Sequence, residues 1–255
     1  MEIANLLTSV NVVTFLLLFI RFASFLSFIP FFNFPTIPMN FKAAFALWLS
    51  VLFFPMTPKV TFDINIITLF LAIISEVTLA FLVGSALSMA FDILRYAAEQ
   101  ISFVMGFTMA TVFDPNFGVQ SNVVGQFFIW VALLVFFVFG GDHLEIWLIA
   151  KSLNSLPLGA IFDVHAFYQF FVDFMYKYFI LGFSLAFPIL AVSLFSDIIF
   201  AMIMKTMPQF NLLVVGFPIK ITIAFMVLMA IIGSIMHVFQ KEMIEIFNTL
   251  FAILS

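Results

Sequence analysis

Residues 64–91 read INIITLFLAIISEVTLAFLVGSALSMAF, a run in which Glu76 is the sole formal charge. As a helix this run is about 42 Å long at about 1.5 Å per residue. About 20 predominantly apolar residues suffice to cross a hydrocarbon core about 30 Å thick. In lipid every backbone N–H and C=O must find its partner within the segment, so a helix is the expected form. The stretch therefore predicts an all-α membrane protein, and its excess length predicts tilt or burial against other protein.

The rest of the chain agrees. Apolar residues make up 65% of 255 positions and charged residues 9%, with a mean hydropathy of +1.28. Soluble domains carry about 45–50% apolar and about 25% charged residues. The thirteen acidic and nine basic side chains give a formal charge of −4 and form no basic run. Neither a nucleic-acid surface nor an anionic-lipid patch is expected from that pattern. Cysteine is absent, which excludes disulfides, thiolate metal sites and a Cys nucleophile. The aromatic content is mostly Phe, 41 residues against 3 Trp and 4 Tyr, so interfacial aromatic belts are poorly marked.

Five further apolar stretches bring the count to about six: Val10–Phe32, Phe41–Met56, Val123–Gly140, Phe174–Phe200 and Leu212–Phe239. Pro30, Pro35 and Pro38 end the first, and Pro55 and Pro58 the second. Pro188 lies inside the fifth, where it predicts a kink or break. The N-terminal Met1–Ser9 carries Glu2 and no basic residue, so the first stretch reads as a retained span. Lys and Arg are scattered between the stretches and set no clear orientation. No soluble domain or linker interrupts the chain, and residues 1–255 read as a single membrane-embedded domain.

Charges inside these stretches are expensive and must face a partner or a wet cavity. Arg21 and Glu76 are the candidates: both fit a pore-lining or subunit-facing position, and both fit a structural ion pair or a charge close enough to a helix end to snorkel. Ala80, Gly84 and Ser88 follow Glu76 at spacings of four, a small-residue face that lets another backbone approach closely. With Glu76 they form the candidate subunit-packing set. Gly182 and Ala186 repeat the pattern more weakly. Asp92, Arg95 and Glu99 share one helical face and read as a solvated patch with local ion pairs, on a helix leaving the membrane after Phe91.

Residues 100–126 read QISFVMGFTMATVFDPNFGVQSNVVGQ. Gly106, Asp114-Pro115 and Gly118 break the run, since Asp-Pro favours a turn, yet Phe107, Met109, Phe113 and Phe117 keep it apolar. Such a loop must be covered. A pore-lining re-entrant element and a packed extramembrane loop both satisfy that requirement.

No phosphate loop, zinc-binding His pair or nucleophile elbow is present, and His143, His165 and His237 are far apart. Neither a cofactor nor a metal is expected. A multi-pass transporter of a small solute would be expected to show matching interrupted segments, and none is evident. A membrane enzyme would need polar groups converging at one depth, and few qualify.

Pro208-Gln209-Phe210-Asn211 followed by Gly216-Phe217-Pro218-Ile219-Lys220 resembles the signature of the FliR/SctT family of export-gate proteins. Pro30, Pro38, Lys42 and Ala44, then Glu76 and Gly84, then Gln100, Gly106, Asp114-Pro115 and Ser121 match further family blocks in order. Phe34 stands where the family more often has a small residue, and Phe210 replaces a common aliphatic.

The resemblance implies a non-enzymatic subunit of the flagellar type III protein export gate, in the bacterial inner membrane at the flagellar basal body. It implies bent helical hairpins packed in a hetero-oligomeric helical assembly. The implied partners are the P and Q membrane subunits, the B switch component, the A component and unfolded export substrates. It also implies that the loop from about Gly106 to Ser121 plugs the closed pore. The form of residues 216–220 leans towards the flagellar branch over the injectisome one.

Overall fold

The computed structural model describes residues 8–33, 37–106, 123–160, 162 and 164–254. Among these, seven α-helices carry the fold: α1 (Ser9–Phe28), α2 (Met39–Phe53), α3 (Ile66–Met105), α4 (Val123–Val138), α5 (Gly141–Ser155), α6 (Val164–Thr206) and α7 (Phe217–Ile253). A 3-10 turn, Phe54–Met56, extends α2, and a π-turn, Leu212–Gly216, precedes α7. The all-α membrane class read from the sequence is the class observed. By length and apolarity five helices suffice to cross a membrane, or up to six if the α4–α5 pair, bent by 67°, counts as one span.

Several boundaries differ from those expected. The third stretch runs on past Phe91 to Met105, giving a helix of 40 residues. Gln100–Met105 is therefore helix rather than the start of a loop. The fifth stretch is the middle of a helix of 43 residues, and Pro188 lies inside it without ending it. In apolar surroundings no water competes for the backbone, so a continuing helix is the cheapest way to satisfy it. Helices of about 60 Å are about twice the hydrocarbon thickness. Gly141–Ser155 forms a helix that apolar length does not predict, because Asp142, Glu145, Lys151 and Asn154 interrupt its apolar residues.

Contacts divide the chain into two interleaved units, the first comprising Met1–Met89, Phe137–Asp173 and Met243–Ser255 and the second Ala90–Phe136 and Phe174–Glu242. In the first, α1 is the central element: Leu17, Leu18, Phe22, Phe25 and Leu26 are fully buried. Phe22 meets Phe53 at 5.4 Å between ring centroids and Phe28 meets Phe81 edge-on at 5.4 Å. By contrast α2 buries only Ala46, Leu49 and Ser50 and leaves Phe41, Leu47, Trp48, Val51 and Leu52 exposed. An apolar helix so little covered by its own chain must be covered by lipid or by other protein. In the second unit, Phe91 packs on Phe136 and Phe239 at 6.0 and 5.1 Å, and Tyr178 donates its hydroxyl to the Asp92 carbonyl at 3.0 Å.

Candidate functional site

The charges that the sequence placed at membrane depth meet each other. Arg21 on α1 and Glu76 on α3 are each 1% exposed. The guanidinium grips the carboxylate twice, Nε to Oε2 at 2.5 Å and Nη2 to Oε1 at 2.8 Å. Nη1 donates to the carbonyls of Ser152 and Leu156 at 3.1 and 2.9 Å, and Nη2 reaches the Pro157 carbonyl at 3.4 Å. Every N–H of the Arg21 side chain is thereby used, the condition under which a buried guanidinium is tolerated. The carbonyls it collects lie at the C-terminal end of α5, where a cation also meets the negative end of the helix dipole. Glu76 Oε1 accepts a second bond from the Gly159 N–H at 2.7 Å, and the neighbouring Ser75 hydroxyl donates to the Ala160 carbonyl. One ion pair thus ties α1, α3 and the segment after α5 into a single node. The ion pair among the readings the sequence left open is present in the structure.

Along α3 from that node, Ala80 is fully buried. A Cβ built on Gly84 would lie 2.6 Å from the carbonyl carbon and Cβ of Phe28. Backbone cannot yield as a side-chain tip can, so α1 and α3 approach this closely only through glycine. Ser88, half-buried, returns its hydroxyl to the Gly84 carbonyl at 2.9 Å. The small-residue face of α3 is therefore filled, as far as Gly84, by α1 of the same chain. Asp92 and Arg95 form an exposed i,i+3 pair at 2.7 Å, a local ion pair on a helix that continues beyond them.

The signature residues build the reversal between α6 and α7. Pro208, Gln209 and Asn211 lie in an exposed turn closed by the Phe210 N–H on the Met207 carbonyl at 2.9 Å. Asn211 then caps the π-turn, its carbonyl accepting from Val215 at 3.0 Å and its side-chain oxygen from Val214 at 3.3 Å. Gly216 is buried, and Pro218 falls in the first turn of α7, where its missing N–H is no loss. Lys220 is buried and donates to both oxygens of Asp197 on α6, at 2.7 and 2.8 Å. A second pair, Lys177–Glu242 at 2.7 Å, also joins α6 and α7.

Gly106 ends α3 with a φ of +85°, and the Phe217 ring occupies the place a Cβ would take, 2.8 Å from it. The other plug candidates, Phe107, Met109, Phe113, Asp114, Pro115, Phe117 and Gly118, lie outside the described residues, as does Phe34. Sequence reasoning missed Asp197 and Glu145. Asp197 sits in the apolar run 179–204, and its lone charge there was the available signal. Glu145 is 1% exposed, and among the described residues no donor reaches either carboxylate oxygen. Among the described residues, no three His, Asp or Glu side chains converge to hold a metal.

Long apolar helices whose charges at membrane depth, Arg21 and Glu76, pair with each other mark an integral membrane protein. Residues 12–246 match the family described as bacterial export proteins, family 1, and the chain belongs to that family. It is 30% identical over 237 residues to the flagellar biosynthetic protein FliR of Pectobacterium carotovorum subsp. carotovorum, covering 93% of this chain and 91% of that one. It is 30% identical over 231 residues to FliR of Bacillus subtilis (strain 168), covering 89% of each. FliR of Escherichia coli (strain K12) is 26% identical over 222 residues, 86% of this chain and 84% of that one.

Proposed function

We propose that the chain is a non-enzymatic subunit of the flagellar type III protein export gate, helping to form and close the channel through which flagellar proteins cross the inner membrane. The observation that carries this reading is the family match over residues 12–246. The flagellar names of these relatives favour the flagellar branch over an injectisome. The helices support a subunit rather than a free-standing transporter. Helices about twice the hydrocarbon thickness, with α2 barely covered by its own chain, favour other protein around them.

In this reading the P and Q membrane subunits cover the exposed apolar faces, the B and A components associate with the assembly, and unfolded substrates pass through it. Glu76, Ala80, Gly84 and Ser88 serve assembly by fixing α1 against α3, which sets the shape offered to neighbouring subunits. The segment beginning at Gly106, with Phe107, Met109, Phe113, Asp114, Pro115, Phe117 and Gly118, is the pore plug. Its Met and Phe side chains exclude water while its glycines permit rearrangement.

Two measurements test this. The chain should purify from membranes as an obligate part of a larger complex; a stable, solute-transporting isolated chain would refute the subunit reading. Deleting residues 107–121 should raise the ion or small-solute permeability of resting membranes. Unchanged permeability with the complex intact would sink the plug.

A further inference from the structure

A cavity of about 220 Å³ lies in the first unit, between the end of α2 and one side of α5. Phe53, Met56 and Leu153 supply its apolar wall, and Trp147, Lys151 and Asn154 its polar and amphipathic side. Met56 is also the last residue of the apolar span Met39–Met56, and Pro58 and Lys59 follow within three residues. Where α2 crosses a bilayer as such a span, the cavity falls at its hydrocarbon-to-headgroup end. Trp147 beside it is 54% exposed, an amphipathic ring of the kind enriched at membrane interfaces.

Among the described residues, the charge at this cavity is unbalanced. Lys151 Nζ donates to the Phe251 carbonyl at 3.2 Å and stands 5.2 Å from the centre of the Phe251 ring. Both partners are neutral, so they orient the ammonium without cancelling its charge. Among the described residues no carboxylate pairs with it. One N–H goes to Phe251 and the others remain for a ligand. Asn154, exposed and one turn of helix away from Ala150 on the same wall, adds amide donors. Thr57 contributes none, because its hydroxyl is turned inward to the Phe53 carbonyl at 2.8 Å.

We propose that this cavity binds the phosphate headgroup of an anionic phospholipid. Lys151 and Asn154 donate to the phosphate oxygens, and Phe53, Met56 and Leu153 lie along the first acyl methylenes. A single ammonium near the membrane surface already favours an anionic headgroup, by about 1 kcal/mol, or about fivefold. The net positive charge favours a headgroup of net charge −1 over a zwitterionic one. The apolar wall favours a lipid over a free phosphate ion, which would gain nothing from it. The proposal needs only this chain and a bilayer, with the cavity end of α2 left open to lipid by any neighbouring subunit.

The test uses the full-length chain, delipidated in detergent and titrated with phosphatidylglycerol or phosphatidylcholine while native mass spectrometry counts retained lipids. Phosphatidylglycerol should bind more tightly than phosphatidylcholine. Lys151→Gln should weaken the phosphatidylglycerol adduct about fivefold, the worth of one cation near an anionic headgroup. Lys151→Arg should keep it, and Asn154→Ala, at an exposed position that does not test folding, should weaken it about twofold to threefold. Wild-type lipid retention in both Lys151→Gln and Asn154→Ala would overturn the site. So would equal binding of the two lipids by the wild-type chain. Displacement of phosphatidylglycerol by inorganic phosphate at equal concentration would reassign the cavity to the free ion and overturn the lipid.

Discussion

Arg21 and Glu76 are 55 positions apart in sequence, yet they form a doubly hydrogen-bonded pair that is 1% exposed on both sides. The value of such a pair lies less in its attraction than in the penalty for breaking it. Removing one partner strands a buried charge, at about 3–5 kcal/mol. Arg21→Met and Glu76→Met should each sharply reduce the thermal stability of the detergent-purified chain. Replacing both residues together should cost less than either alone, because no charge is then left unpaired. Arg21→Lys should not rescue, since an ammonium cannot reach the carboxylate and three carbonyls at once. A double variant less stable than both singles would contradict the paired role.

Gly84 tests the α1–α3 contact. A Cβ there would lie 2.6 Å from Phe28 backbone and Cβ atoms, so even Gly84→Ala forces the helices apart, and Gly84→Leu further. Overpacking of this kind costs about 1–3 kcal/mol, and recovery of the intact complex should fall with residue size. Gly233 on α7 is the control, because a Cβ there meets nothing within 4 Å. Gly233→Ala should leave the isolated chain unharmed or stabilise it by about 0.5–1 kcal/mol through helix propensity. Normal recovery of Gly84→Leu would remove the close-packing argument.

How much of this was legible depended on what kind of signal each feature left. The helical class was written in the run around Glu76, because apolar length in lipid admits few alternatives. That Arg21 and Glu76 needed partners was equally legible, since each is a lone charge in an apolar stretch. That they need each other was not, because pairing across such a separation is a property of the packed helices. Gly84 showed a close approach without naming Phe28 for the same reason. Lys220 was found through the signature, whereas Asp197 was overlooked in its apolar run. The apolar stretch stops at Phe91 because Asp92, Arg95 and Glu99 are polar, and the expected loop starts at Gln100, whereas the helix runs on to Met105. A helix face can be solvated while its opposite face, here Ile93, Leu94, Ala97 and Ala98, stays buried.

The Lys220–Asp197 pair is lopsided, with side-chain exposures of 8% and 52%. Removing the lysine leaves a carboxylate that its own chain does not enclose and that can protonate or find another partner, so Lys220→Met should cost the less, about 1 kcal/mol. Asp197→Asn instead leaves the buried ammonium without its counter-charge and should cost more, towards about 3 kcal/mol. Thermal unfolding of the two variants should therefore separate them in that order. The reverse order would mean that the less enclosed partner carries the larger penalty, against the geometry.

Gly106 carries two independent demands, and they can be separated by substitution. Its φ of +85° costs any residue with a Cβ about 1–3 kcal/mol, whatever lies nearby. The Phe217 ring, 2.8 Å from the ideal Cβ position, adds a steric demand that disappears if the ring is removed. Gly106→Ala should therefore destabilise the chain, and Phe217→Ala should destabilise it through lost packing. In the double variant the clash is gone while the backbone strain remains, so the two effects should fall short of their sum. The coupling expected for residues in contact is about 0.5–3 kcal/mol, measured by a double-mutant cycle on thermal unfolding. Strict additivity would place the ring away from Gly106. It would also leave no contact between the end of α3 and the first residue of α7, where the signature turn delivers its aromatic side chain.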